Sequence, residues 1–201
     1  MTEFEDVFGK HRVMAILRGL SPTETAATAH RAWDAGVENL EVTIGEPEQV
    51  PALAAAVAAG AERGKIVGAG TVITDDQVKA AAEAGARYTV APGLDTAVLA
   101  SSVAAGMPHL PGVGSGTEVQ RAHLAGCRWV KAFPAVALTP VWFSAMRGPF
   151  PQIQYVATGS VTAESAQSFL DAGAQMVGIG AALFNDPGKH AQLTELIKRT
   201  S

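Results

Sequence analysis

The chain has 201 residues, 48% of them hydrophobic and 17% charged, which is enough for one good core and too little for two ordinary domains, so residues 1–201 read as a single domain. Its formal net charge is −4 with lysine and arginine scattered, which excludes a basic stripe for nucleic acid or an anionic membrane and leaves a small molecule as the partner. Cys127 stands alone, so neither an internal disulfide nor a cysteine-based metal cluster is available and a reducing cytoplasm fits; the polar, acidic start from Met1 to Arg12 carries no secretory signal, and no later run approaches a membrane span.

In chain order, short apolar runs alternate with Ala-rich segments of helical length. The first strand, Val13 to Arg18, ends on a charge, and Ser21-Pro22 then sets a cap and a first-turn proline for a helix to Ala35. The second strand, Asn39 to Thr43, holds Glu41, and a helix from Pro47 to Arg63 follows. Lys65 to Gly70 is the third strand, and Thr74 caps the helix Asp75 to Ala84. Tyr88 to Ala91 leads to a helix opened by Asp95 and closing at Ala105, and Met107 to Gly112 leads to the helix Thr117 to Ala125. The sixth strand, Trp129 to Phe133, holds Lys131, and Thr139-Pro140 opens a helix to Arg147. Gln154 to Thr158 precedes Thr162 and a helix from Ala163 to Ala172, and Met176 to Gly180 precedes the last helix, Pro187 to Arg199.

Glycine recurs where these helices close, at Gly36, Gly64, Gly85, Gly106, Gly126 and Gly173, one step per strand–helix unit. Eight such units predict a (β/α)8 TIM barrel, an α/β fold in one compact domain with short loops. The rival is an open doubly wound sheet. Gly68-Ala-Gly70 hints at a dinucleotide site, but the third glycine is missing and the motif lies far from the first turn.

Barrel chemistry gathers where strands end, so charges late in apolar strands carry information, and Arg18, Glu41 and Lys131 are such charges. The lysines at 10, 65, 79, 189 and 198 sit at element ends or on polar helix faces, which accounts for them. An apolar barrel interior penalises an ammonium, and a neutral lysine amine attacks a ketone to give a carbinolamine and then an iminium ion. Such an electron sink needs a proton carrier beside it, and Glu41 is the candidate. A structural ion pair between Lys131 and Glu41 is the alternative. Thr71, Thr158 and Ser160 end strands and either orient an anionic group or form caps and turns. Gly159 and Gly180 follow the last two strands, where this fold often holds phosphate. His109 reads as a packed or hydrogen-bonded residue, and no metal site is evident.

Around these residues the sequence resembles the bacterial 2-keto-3-deoxy-6-phosphogluconate and 4-hydroxy-2-oxoglutarate aldolases, including their 6-phosphogalactonate branch. The motifs run in the family's order over nearly the whole chain: Ala15-Ile-Leu-Arg-Gly19, Leu40-Glu-Val-Thr43, Val67-Gly-Ala-Gly-Thr-Val72, Ala91-Pro-Gly93, Leu110-Pro-Gly-Val113, Lys131-Ala-Phe-Pro134, Thr158-Gly159 and Gly178-Ile-Gly180. The resemblance implies a homotrimeric barrel that cleaves a 2-keto-3-deoxy sugar acid to pyruvate and an aldehyde, with a lysine–pyruvate Schiff base and no metal or other cofactor. It gives Lys131 the Schiff-base role and Glu41 the acid/base role. It sets Thr71 near the pyruvate carboxylate and makes Pro92 and Phe133 pocket walls.

Departures fall at the two anionic ends of the substrate. Gly45 stands where the phosphogluconate enzymes often have a carboxylate-binding arginine, and Arg18 is the arginine that replaces it, with a fork suited to a carboxylate. Ser160 replaces the second glycine of Thr-Gly-Gly, Ala181-Ala182 replaces a run that usually contains serine, and Val136 stands where glutamate is common. Substrates without phosphate, 4-hydroxy-2-oxoglutarate among them, are therefore alternatives. So are a phosphosugar isomerase or epimerase, which needs no lysine in strand six, and a catalytically degenerate or engineered trimeric scaffold.

Overall fold

The computed structural model describes residues 4–200. Its strands are β1 (Val13–Leu17), β2 (Asn39–Thr43), β3 (Gly68–Gly70), β4 (Thr89–Val90), β5 in two pieces (His109–Leu110 and Gly112–Val113), β6 (Trp129–Ala132), β7 (Gln154–Ala157) and β8 (Met176–Gly180). Every pairing is parallel, each strand against its sequence neighbours, with β1 joined to β8. The ring closes through β5, whose first piece pairs with β4 and whose second pairs with β6. Pro111 sits at the split: its carbonyl faces β6 and accepts the Lys131 N–H at 2.8 Å, but it has no N–H to return to that strand, so the first piece of β5 is left paired with β4 alone. The expected eight-unit parallel barrel is the fold, and the open sheet is excluded.

Strand alternation divides the side chains between two cores. Ala15, Leu17, Leu40, Val42, Val130, Tyr155 and Ile179 face outward and bury against the helices. Met14, Tyr88, Leu110, Trp129, Val156 and Met176 face inward and fill the lower barrel. The floor is completed by α1 (Phe4–Phe8), a turn that the polar reading of Met1 to Arg12 leaves out; Met1 to Glu3 lie outside the described residues. Phe4 and Phe8 stack at 4.7 Å, and Phe8 meets the edges of Tyr88 and Trp129 at 5.6 and 5.3 Å. Burying a phenylalanine contributes about 1.5–3 kcal/mol, enough to hold so short a helix in place.

The outer helices are α2 (Pro22–Asp34), α3 (Val50–Ala61, entered by a 3-10 turn at Pro47–Gln49), α4 (Asp75–Glu83), α5 (Thr96–Ala104), α6 (Gly116–Leu124), α7 (Ala135–Arg147), α8 (Ala163–Asp171), α9 (Ala182–Asn185) and α10 (His190–Thr200, after a 3-10 turn at Pro187–Lys189). Ser21, Thr74, Asp95 and Thr162 cap their helices as expected. Two expectations need correction. Helical backbone after β6 starts at Ala135 and breaks at Thr139 (φ 63°, ψ 162°), so Pro140 restarts a helix already begun. The short α9 is absent from the sequence reading, because four residues are too few to show a period.

His109 points outward, and its surroundings fix its tautomer. Ser102 donates its one hydroxyl proton to the Met107 carbonyl at 3.0 Å, so Thr89 donates to Ser102 at 2.6 Å and His109 Nδ1 must donate to Thr89 at 2.7 Å. Burial pushes this imidazole down to about 4, and it stays neutral.

Candidate active site

Inward-facing positions at the upper ends of the strands carry polar groups where the lower barrel carries aromatics. Glu41 on β2 and Lys131 on β6 meet there, with Lys131 Nζ 3.8 Å from Glu41 Oε1 and the side chains 0% and 4% exposed for glutamate and lysine. Neither oxygen of Glu41 has a hydrogen-bond partner among the described residues. A buried pair kept for structure needs short, saturated hydrogen bonds to offset desolvation. This pair has none, and its separation suits two groups that work on a molecule placed against them.

The backbone makes room for that arrangement. A Cβ at Gly70 would lie 2.8 Å from Glu41 Oε1, and one at Gly178 would lie 2.6 Å from Ile16 Cδ1 and 2.8 Å from Thr158 Cγ2. Below Glu41, Tyr88 donates its hydroxyl to the Leu40 carbonyl at 2.7 Å, and burial together with the Glu41 charge holds that phenol well above its usual range. Gly68 is required there, since a Cβ would lie 2.1 Å from the Tyr88 ring. The Phe133 ring stands 5.3 Å from Lys131 Nζ, a cation–π distance.

Arg18, exposed at the end of β1, reaches across the end of β2 and donates to Thr71 Oγ1 at 3.3 Å. Thr71 adopts φ 61°, a left-handed conformation costly for a β-branched residue. Its methyl lies 3.0 Å from where a Gly45 Cβ would stand, so Thr71 in this pose crowds any side chain at 45. The same Thr71 pose therefore both accepts from Arg18 and keeps position 45 free of a side chain.

A cavity of about 760 Å³ opens onto Lys131. Arg18, Lys131, Phe133, Thr158, Gly159, Ser160 and Gly180 line it together, as a shared site requires. Thr158 brings a buried hydroxyl with no partner among the described residues. Glu41, fully buried, is not among the lining residues and meets the cavity only by way of Lys131, 3.8 Å from it. Thr71, Pro92 and Ala181 are not among the lining residues: Thr71 serves Arg18, the Pro92 backbone packs where a Gly112 Cβ would fall, and Ala182 faces the cavity instead of Ala181. Glu164, Lys189 and Gln192 also line it, and the sequence reading missed all three. A second cavity, of about 570 Å³, lies beside the floor among Phe4, Val103, Met107, Cys127 and Trp129. Its Cys127 thiol is pushed up to about 11 by burial, so it is no nucleophile at neutral pH.

No group of three or more His, Cys, Asp or Glu side chains that could hold a metal ion occurs among the described residues. Among the same residues, no helix is long and apolar enough to cross a membrane.

A family model described as KDPG and KHG aldolase matches residues 4–197. The chain is 34% identical to the 2-dehydro-3-deoxy-6-phosphogalactonate aldolase of Escherichia coli K12, over 86% of this chain and 84% of that one. It is 33% identical to a probable enzyme of the same name from Rhizobium meliloti, over 89% of this chain and 84% of that one. Among solved structures it superposes with TM-score 0.85 and 27% identity on the KDPG aldolase of Legionella pneumophila, which holds pyruvate as a covalent carbinolamine; the match covers 100% of this chain and 98% of that one.

Proposed function

Because the chain belongs to the KDPG and KHG aldolase family, the class I carbon–carbon lyases that use a Schiff base and no metal, we propose Lys131 as its Schiff-base lysine, Glu41 as its acid/base, and a 2-keto-3-deoxy-6-phospho sugar acid of the galactonate or gluconate series as its substrate. The observation that carries this is the buried Lys131–Glu41 pair, set 3.8 Å apart, with a carboxylate that makes no hydrogen bond among the described residues and a lysine that lines an open cavity.

The steps follow from that geometry. Lys131 Nζ adds to the C2 ketone of the keto acid, and Glu41 carries the protons that turn the carbinolamine into an iminium ion with loss of water. Glu41 then takes the proton of the C4 hydroxyl, the C3–C4 bond breaks, and its electron pair moves through C2 to the iminium nitrogen. The aldehyde leaves, and an enamine stays on Lys131. Return of the proton from Glu41 to C3 and addition of water at C2 release pyruvate and restore the amine. Phe133 shields the iminium side, while the Arg18 fork faces the carboxylate beside Thr71. Thr158, Gly159, Ser160 and Gly180 face the aldehyde half. A degenerate scaffold would have no use for a buried carboxylate left without hydrogen bonds, and an isomerase would have none for Lys131.

The same reading extends to a cytoplasmic homotrimer. Ile73, Val136 and Val141 are 51%, 58% and 75% exposed, apolar surface that contacts between copies would cover. Borohydride reduction with pyruvate tests the chemistry: the wild-type chain gains a carboxyethyl group on Lys131, and Lys131→Met gains none. An adduct that persists in the variant, or none in either protein, overturns the assignment.

A further inference from the structure

The cavity is longer than pyruvate needs, and its ends differ in charge. Arg18 leans away from β8, onto Thr71 beyond β2, and Lys131 stands in the centre. The far rim is built by residues after β7 and β8, among them Ser160, Glu164, Ala182, Lys189 and Gln192. Ala182 offers no hydroxyl, so a charged group bound there has Ser160, Thr162, Gln192 and backbone amides as neutral donors, and Lys189 as the one cation of this rim among the described residues.

Lys189 is placed for such a task and is not committed to another. Its backbone is fixed by a tight turn, in which its N–H donates to the Asp186 carbonyl at 2.9 Å and the Gly188 N–H donates to Asp186 Oδ1 at 2.9 Å. Its ammonium is only loosely held, 3.6 Å from Asp186 Oδ2 with both side chains nearly half exposed, and such solvated pairs contribute little. Glu164 faces it across the rim. That carboxylate is kept below its usual range by its own backbone amide, by the Thr162 hydroxyl and by the charge of Lys189, so it is ionised at neutral pH.

We propose that Lys189 binds the phosphate of the aldehyde half and sets the preference for phosphorylated over unphosphorylated substrates, with Glu164 opposing it. The proposal rests on the aldolase reading above. On binding, the ammonium leaves Asp186 for the phosphate oxygens and offsets the repulsion between the phosphate and the Glu164 carboxylate, whose charge it already feels. A turn that begins as a helix entrance thus replaces the hydroxyl lost at Ala181-Ala182.

The test is aldol addition of pyruvate to glyceraldehyde 3-phosphate and to glyceraldehyde, with borohydride trapping of pyruvate alongside. Lys189→Met lowers kcat/KM for the phosphorylated acceptor by about ten- to hundredfold, the loss expected for one charge-assisted contact. It leaves glyceraldehyde and the trapping rate within about twofold of wild type. Lys189→Arg restores most of the loss, and Glu164→Gln raises kcat/KM for the phosphorylated acceptor alone. Equal losses on both acceptors, no loss on the phosphorylated one, or a wild-type chain indifferent to phosphate overturns the proposal while trapping at Lys131 still upholds the aldolase. Failure of trapping in the wild-type chain removes both.

Discussion

Replacing Gly70 with alanine pushes a methyl group against the carboxylate on which the chemistry turns. The new Cβ would lie 2.8 Å from Glu41 Oε1, 3.0 Å from its Cδ and 3.3 Å from Thr43 Cγ2. Ordinary contact begins near 3.4 Å, so the carboxylate must shift by about 0.6 Å, and Glu41 is fully buried with no solvent to move into. Overpacking of this kind costs about 1–3 kcal/mol, a fall in Tm of roughly 2–12 °C for a chain of this length. Catalysis should suffer more, because a misplacement of about 1 Å can cost about a hundredfold, so half that shift predicts about tenfold in kcat. Pyruvate release from a 2-keto-3-deoxy sugar acid measures kcat, a thermal melt measures stability, and borohydride trapping reports whether Lys131 still reacts. A variant with an unchanged melt and kcat within about twofold of wild type would refute the claim that Glu41 must be held where Gly70 leaves it.

Two further outcomes test other parts of the molecule. Arg18→Ala should raise the KM for pyruvate and for the sugar acid by about ten- to hundredfold while trapping at saturating pyruvate survives, and an unchanged KM would remove Arg18 from the carboxylate. Burial lowers His109 from its ordinary 6.5 to about 4, so the unfolded chain takes up this proton first as pH falls. Stability from this group is complete above 6.5 and declines through that window by up to roughly 3 kcal/mol, seen as a falling midpoint in denaturant melts. His109→Gln should flatten that decline, and a slope unchanged in the variant would assign it elsewhere.

What could be read from the sequence was what is decided locally. Caps such as Ser21 and Asp95 declare themselves because the side chain that starts the helix also satisfies its first amides. Lys131, Glu41 and Arg18 stood out because charges in apolar strands conflict with their surroundings unless a site explains them. The barrel floor was hidden because Phe4 and Phe8 look like isolated apolar residues in a polar stretch; Tyr88 and Trp129, distant in the chain, decide their burial. Lys189 was hidden for a similar reason. It resembles any lysine at an element end, and only the path of the chain after β8 carries it to the mouth of the cavity. Thr71 and Ser160 fall between these cases: their types suggested anion contacts, while their left-handed backbones, φ 61° and 57°, were invisible to pattern.

Pro111 joins two properties that are usually separate in a barrel. It is the joint of the ring where one strand changes partners and a ladder donor is missing. It is also the residue whose carbonyl holds the N–H of Lys131, at 2.8 Å. Opening the cylinder at that joint would break a hydrogen bond that fixes the backbone of the nucleophile, so activity is expected to fall on heating before the helical signal does.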